Sequence, residues 1–398
     1  MILCINAGSS SIKFALFKQR SNPEKLASGE IKRIGLKGTR FTSQMPGAKQ
    51  RDIPVHRKDY AGAMEALLEE LDRHIDFSKV KGIGHRIVHG MRYTEPVQID
   101  KALIKMLKQI VPFDPDHLPY EIRLVELFAA KYPDIPQFAC FDTAFHRNMP
   151  ETAKRLPIPA RFDRAGVRRY GFHGLSYSYL LQALERDPGR KKAGGKIVLA
   201  HLGNGASLAA VSGRTGKDTS MGFSPVGGIP MSTRTGDLDP GAAWYMIKSE
   251  KLSPKQFDHL VNAESGLLGI SGSSGDMKDL LARRAKDAKA ALAVDLFCYQ
   301  VKKWIGAFAA ALGGLDILVF SGGIGEFAPE VRSAICHGMG FMGISLDPSK
   351  NRRNARLISK SNAPVAVYVI HTEEEWMIAR IVNRLLRTSN KSIRNKKH

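Results

Sequence analysis

A chain of 398 residues with a formal charge of +22, 43% apolar and 8% aromatic residues has room for two domains, each with its own core. That composition excludes extended disorder, and no apolar run reaches membrane-spanning length. Residues 1–5 are apolar from the outset, without a secretory leader, and Cys4, Cys140, Cys298 and Cys336 are scattered with no C-x-x-C pair, so a cytoplasmic protein with buried, reduced thiols is expected. The positive charge is partly gathered at 388–398 and otherwise dispersed, with neither zinc-finger spacing nor an aromatic-basic sheet signature. Small anionic metabolites are therefore favoured over nucleic acid as partners.

Strand-like and helical runs alternate from the start, which predicts an α/β protein. A strand at 1–6 leads into NAGSSSIK, from Asn6 to Lys13. Its small side chains let backbone N–H groups and hydroxyls approach phosphate oxygens. Asn6 offers a carbonyl to a magnesium–water cluster and Lys13 a point charge; an ordinary hairpin turn explains the same string. At 60–75, Met64, Leu67, Leu68 and Leu71 share one face of a predicted helix. In GHRIVHG, Arg86 lies within an apolar strand, where a guanidinium is costly unless it meets a structural carboxylate or an anionic ligand. A second buried strand ends on Asp142, either a turn residue or a group that orients substrate or metal-bound water. The stretch 147–170, with Pro150, Pro157 and Pro159, predicts a connection between two domains.

Next, YGFHGLS sets His173 between small residues and a helix start, as a donor to a transferring phosphate or a satisfied loop histidine. A weak internal repeat follows, because ILCINAGSSSI from Ile2 is echoed by VLAHLGNGASL from Val198. Both copies predict strand, small-residue turn, strand, and the pairing favours two turns that grip one nucleotide. Segment 221–240 is too long and Gly-rich for a packed element and has the profile of a site-lining loop. Arg234 is its lone cation, Asp237 a partner for it, and Asp239 with Pro240 an N-cap and first helical residue. After a strand at 317–320, SGGIGE suits nucleotide contact, with a helix expected to begin near Ala328. A strand at 365–370 precedes a helix capped by a Thr372–Glu375 box, with Glu373 and Glu374 on its dipole or one of the three in a metal site.

Taken in order, the strings N-x-G-S-S-S-x-K, G-H-R-x-V-H-G, F-D-T-A-F-H, Y-G-F-H-G-x-S, H-L-G-N-G-x-S, T-R-x-G-D-x-D-P and G-G-I-G-E resemble those of the acetate kinase family over essentially the whole chain up to the tail. The resemblance implies an α/β fold of two ribonuclease-H-like domains with a nucleotide-binding cleft between them. The first is 1–147 completed by a helix at 374–387, the second is 148–373 with the nucleotide site and a dimer interface, and 388–398 is a basic tail. It implies reversible, Mg2+-dependent transfer of phosphate between ATP and acetate, giving acetyl phosphate and ADP, with Mn2+ as the alternative metal and a homodimer as the assembly. By the same resemblance Asp142, His173 and Arg234 are catalytic, Arg86 binds the carboxylate, and Val88, Phe113, Phe172 and Pro225 hold the methyl. Lys13, His201, Leu202, Gly203, Asn204 and Gly205 take the nucleotide, together with Asp276, Met277, Lys278, Gly323, Ile324, Gly325, Glu326 and Phe327. Asn6 and Glu374 support the metal. The chain departs from the family pattern at Asp114, where histidine is usual and His117 is the nearby substitute, at Lys278, where arginine is usual, and at Phe327 and Glu373, where asparagine is usual. These departures bear on acyl and nucleotide preference. Propionate or butyrate kinase is the nearest alternative, and a nucleotide-switched binding protein of the same superfamily a more distant one.

Overall fold

The computed structural model describes residues 1–8, 11–35, 38–45, 49–55, 59–186 and 195–395, with side chains to 388. Ser9 and Ser10 of the first small-residue turn, and 396–398 of the tail, lie outside the described residues. The chain divides into two compact units, Met1–Ala144 with Glu373–His398, and Phe145–Thr372.

In the first unit β1 (Ile2–Ala7) is buried throughout, as its apolar run requires of a central strand. It pairs antiparallel with β2 (Ser11–Lys18), Ile2 opposite Phe17 and Ala7 opposite Ile12. The meander continues through β3 (Glu24–Lys32), β4 (Arg40–Gln44) and β5 (Arg51–Pro54). On the other side of β1, β6 (Gly82–Ile87) runs parallel. Beyond it lie parallel β8 (Gln137–Phe141) and the antiparallel edge strand β7 (Val97–Gln98), giving the order β5-β4-β3-β2-β1-β6-β8-β7. The helix Tyr60–His74 starts at Asp59, whose carboxylate accepts Gly62 N, and buries Met64, Leu67 and Leu71 against Leu3, Ile5 and Phe14.

The second unit repeats this plan. Here β9 (Lys196–Leu202), β10 (Ala206–Ser212) and β11 (Thr215–Thr219) form an antiparallel meander, with β12 (Ile317–Ser321) and β13 (Ala366–Val369) added parallel, in the order β11-β10-β9-β12-β13. The same order runs through β3-β2-β1-β6-β8, so the two hairpins of the sequence repeat open two ribonuclease-H-like sheets. Helix Gly174–Glu185 covers one face of the second sheet with Tyr177, Leu180 and Leu184. Helix Ala288–Leu312 buries Phe297, Val301, Ile305 and Phe308 and packs on β9 and β10.

Helix Glu374–Asn395 returns to the first unit and packs on β1 and β6. It comes close because Gly84 has no side chain: a Cβ there would stand 2.4 Å from Ile378 Cγ2. This approach delivers Glu374 to the end of β1. The helix runs on to Asn395, past residue 387 where the sequence reading ends it, so the basic tail is helical backbone for most of its length. Two other expectations also change. Residues 147–170 form no bare connection but carry the short helices Glu151–Lys154 and Ala160–Arg164 within the second unit. The helix expected near Ala328 is present as Pro329–Cys336 with Ala328 at its N-cap, and a short unexpected helix, Gly322–Phe327, precedes it. The last helix starts its i to i+4 bonding with Met377 N on Glu373 O, which displaces Thr372 from the N-cap, and the Thr372 hydroxyl donates to Ser176. Among the described residues, no helix is long and apolar enough to cross a membrane, and all four cysteines are free and buried.

Folding keeps three histidines neutral. Burial drives the pKa of His85, His89 and His146 each down to about 4, from about 6.5 in an unfolded chain. Partial compensation comes from the Gln137 side chain at His85, the charge of Asp114 at His89 and the Phe172 carbonyl at His146. Between these values the unfolded state binds more protons, so the stability these residues contribute is present above about pH 6.5 and is lost as pH falls toward 4. Urea unfolding is expected to show a lower midpoint at pH 5 than at pH 7, and equal midpoints would refute the assignment.

Candidate active site

Arg86 on β6 and Asp142 at the end of β8 reach each other because the two strands are parallel neighbours, with Arg86 opposite Cys140. Nε and Nη2 of Arg86 both donate to Asp142 Oδ2, at 2.9 and 2.6 Å, while Nη1 donates to Asn6 Oδ1 at 3.4 Å and Ala7 O at 3.3 Å. Asp142 is fully buried and the Arg86 side chain only 13% exposed. Burial alone would lower the arginine pKa, but the charge of Asp142, then that of Glu374, the hydrogen bond to Asp142 and the charge of Glu121 raise it. These bonds use four of the five guanidinium N–H groups, which leaves one for an anion. Arg86 thus meets a structural carboxylate and retains a donor.

Asn6 is the hub of the acidic side. Its amide donates to Glu374 Oε2 at 2.9 Å and Glu375 Oε1 at 2.8 Å, and its carbonyl faces Arg86. Among the described residues, no three His, Cys, Asp or Glu side chains form a metal cage. The two carboxylates nonetheless suit a hard divalent cation of the kind that keeps several waters and completes its shell with substrate phosphates, while the Asn6 oxygen accepts from Arg86. The charges of Glu375, Glu30 and Glu374 raise the pKa of Lys13, against desolvation and the charge of Arg86. Lys13 thus faces these acids.

Behind Arg86 sits a buried acidic layer in which Asp114 is singled out by the sequence and Glu121 is not. Glu121 takes Val88 N on both oxygens, at 3.2 and 3.1 Å. Its pKa is pushed well above the carboxylate range, by burial first and the charge of Asp114 second. Asp114 pairs with His117 Nδ1 at 2.7 Å, and both are buried. His117 is therefore committed to the carboxylate at the departure position. Tyr60 donates to Gly8 O at 2.8 Å, pinning the start of the first turn. Val88 is buried and Phe113 partly so in this unit; Phe172 and Pro225 are buried in the second.

In the second unit, His173 stands at the N-terminus of helix Gly174–Glu185 in the left-handed conformation, φ 57°. Its ring stacks on His201 from β9, with centroids 4.4 Å apart. The turn 203–205 between β9 and β10 lies against both rings. A Cβ on Gly205 would be 3.3 Å from His173 Nε2 and 3.8 Å from Arg234 Nη1, and one on Gly203 would be 3.9 Å from both His201 Nε2 and Gly323 N. Asn204 O accepts Ser232 N at 3.1 Å and Ser232 Oγ donates to Gly275 O at 2.9 Å. The turn, the Arg234 loop and the segment before Asp276 are thereby tied together. The structure brings His173, His201, 203–205, Arg234 and Gly323 to one place in this unit, an arrangement that concentrates N–H donors as an anion requires.

Other predicted nucleotide residues have structural duties. Asp276 caps helix Met277–Arg283 through Lys278 N at 2.8 Å. Met277 and Leu202 are buried in the core, which leaves only their backbone for a ligand. Glu326 accepts Gly322 N at 3.0 Å and pairs with His371 at 2.7 Å, whereas Phe327 is 71% exposed. The loop around Arg234 is closed by Asp237 N on Gly228 O and Gly228 N on Asp237 Oδ1, both 2.8 Å. As expected, Asp239 caps helix Pro240–Ser249.

With this geometry in place, residues 1–380 match the model of the acetokinase family. The chain belongs to that family. It is 39% identical over 395 residues to the acetate kinase of Dictyoglomus turgidum, covering 97% of each chain. It is 40% identical over 391 residues to the propionate kinase of Citrobacter rodentium, covering 96% of each. The crystal structure of Porphyromonas gingivalis acetate kinase superimposes with a TM-score of 0.84 at 36% identity, over 95% of this chain and 97% of that one. The acetokinase family acts on ATP and acetate with a divalent metal, which makes this chain a phosphotransferase.

Proposed function

We propose that this chain is an acetate kinase, moving phosphate reversibly between ATP and acetate to give acetyl phosphate and ADP. The observation that carries the reading is the convergence of His173 Nε2 and Arg234 Nη1 on the turn at Gly205, in a family of this reaction. Acetate is ionised at neutral pH, so no strong base is needed to make the nucleophile. Catalysis is then positioning and charge. Arg86 holds the acetate carboxylate with its remaining N–H, oriented by Asp142. Val88, Phe113, Phe172 and Pro225 are the apolar residues assigned to the methyl. His173 and Arg234 neutralise charge on the transferring phosphoryl group. Lys13, residues 201–205, 276–278 and 323–327 serve the nucleotide, several of them only through backbone groups. Glu374 and Glu375 would hold the divalent ion, assigned as Mg2+, with Asn6 supporting both carboxylates through its amide N–H groups; the ion supplies charge neutralisation of the phosphates when bound. Transfer is direct and in line, so a chiral γ-phosphate should invert; retention would indicate a phosphoenzyme.

Acyl-phosphate formation from ATP, Mg2+ and acetate, trapped as hydroxamate, tests the reading. Product is expected, and none from C2, C3 or C4 acids would overturn it. The propionate kinase relative at 40% identity supports a second reading. One methylene changes discrimination by only about 10–200-fold, and kcat/KM for acetate is expected to exceed that for propionate within this range; the reverse order would make the chain a propionate kinase. The protein is assigned to the cytoplasm as a homodimer joined through its second unit, where Trp244, Tyr245, Leu292 and Tyr299 expose large apolar surfaces on two helices. Light scattering at the mass of one chain would refute the dimer.

A further inference from the structure

Two hydroxyl pairs, one buried and one partly buried, stand behind the stacked histidines. Ser207 Oγ lies 2.8 Å from His173 Nδ1 and 2.5 Å from Tyr177 Oη, and Ser207 and Tyr177 are both fully buried. Ser176 Oγ lies 2.8 Å from His201 Nδ1 and accepts the Thr372 hydroxyl at 2.9 Å. The fold supplies both pairs from shared elements. Ser207 faces His201 across the β9–β10 ladder, and Ser176 and Tyr177 are neighbours in the first turn of the helix that His173 begins.

We propose that Ser207, backed by Tyr177, is a positioning residue that fixes His173 as the Nε2–H tautomer, and that Ser176, backed by Thr372, does the same for His201. A serine hydroxyl has one proton to give. When Tyr177 donates to Ser207, the Ser207 proton goes to the imidazole Nδ1, the stronger acceptor, and the ring proton resides on Nε2. Thr372 donating to Ser176 has the same consequence at His201. Both Nε2 atoms face the turn 203–205, so each ring presents a donor there. The opposite polarity would turn two nitrogen lone pairs toward phosphate oxygens, a repulsive arrangement in an anion site. The proposal rests on the phosphotransferase reading for its purpose, since a donor at Nε2 matters where a phosphoryl group gains charge.

The test compares wild type with Ser207→Ala, Ser207→Thr and Tyr177→Phe, with nitrogen-15 histidine spectra read beside steady-state kinetics. His173→Gln assigns the His173 resonance. In wild type, the Nε2–H tautomer of His173 is expected. Ser207→Ala should lose that preference and lower kcat by about 10–100-fold, the scale of partners that orient a functional histidine, with a smaller change in KM for ATP. Ser207→Thr, which restores a hydroxyl, should recover most of the rate. Tyr177→Phe, which keeps the ring in the core, should show a milder loss of the same kind, and it carries the test where Ser207→Ala fails to fold. An Nδ1–H tautomer in wild type, or unchanged tautomer and kcat in the variants, would overturn the proposal. The tautomer readout requires no turnover, so it decides the relay even where the acetate kinase reading fails.

Discussion

An Arg86→Ala variant is expected to lose acyl-phosphate formation by about a thousandfold or more, the scale of removing an arginine that stabilises a phosphoryl-transfer site. Two effects act together and can be separated. Arg86 has an N–H available beyond its bonds to Asp142, Asn6 and Ala7, and losing it removes the carboxylate anchor. Deleting the guanidinium also leaves Asp142 charged at zero exposure, a change that costs about 3–5 kcal/mol of stability when a buried pair is broken on one side. Arg86→Lys keeps a charge but cannot make the forked contact, so intermediate activity is expected. The double variant Arg86→Met with Asp142→Leu removes both charges and should regain much of the stability without regaining activity. Denaturant midpoints measured beside hydroxamate assays distinguish these cases. Full activity in Arg86→Ala would reduce Arg86 to a structural partner of Asp142 and undo the carboxylate assignment.

Much of the fold was legible because its information is local. The paired strings after Ile2 and Val198 alternate apolar strand with small-residue turn, and each became the first hairpin of a sheet with the same strand order. Arg86 stood out by being charged within an apolar strand, Asp142 by ending one. Other features depend on residues far apart in the chain. The helix at Gly322 was hidden because glycine signals a loop; there, φ of +76° and the Glu326 carboxylate on Gly322 N shape the first turn. The end of the last helix was hidden because the apolar period stops while the backbone continues through the mostly polar residues 388–395. The capping box failed because the Thr372 hydroxyl is engaged by Ser176, 196 residues earlier. Within the site, His173 and His201 were legible from their glycine-rich strings. Ser176 and Ser207 end the two strings that carry these histidines, and Ser207 sits opposite His201 in the hairpin register; Tyr177 had only its place beside Ser176. Glu121 and Arg332 left no local sign.

Arg332→Ala should be the most damaging substitution to stability, with an expected loss of at least about 3 kcal/mol, because each buried acceptor left unpaired costs about 1–3 kcal/mol. Arg332 has no exposed surface. All five of its N–H groups are used: Nε on Asn351 Oδ1 at 2.7 Å, Nη1 on Gly325 O at 2.8 Å and Glu326 O at 2.9 Å, Nη2 on Asn351 O at 2.8 Å and Asn354 Oδ1 at 2.6 Å. Each of these acceptors is neutral. Burial pulls its pKa down to about 10, with Cys336 and Glu330 acting the other way, so the group stays charged at neutral pH and is held by oriented carbonyl dipoles. Two of those carbonyls close the last turn of helix Gly322–Phe327, where the negative end of the helix dipole favours a cation. That helix carries the proposed nucleotide contacts at 323–327. Loss of the arginine should therefore raise KM for ATP as well as lower the unfolding midpoint, with KM for acetate less affected. Arg332→Lys provides the discriminating comparison: it retains a charge near the helix end but lacks the planar fork that bonds Gly325, Asn351 and Asn354 together. If lysine restored both stability and KM, charge at the helix terminus would be the whole contribution; if it restored neither, the fixed geometry of the five bonds is what holds the nucleotide segment in place. An unchanged midpoint in Arg332→Ala would refute both.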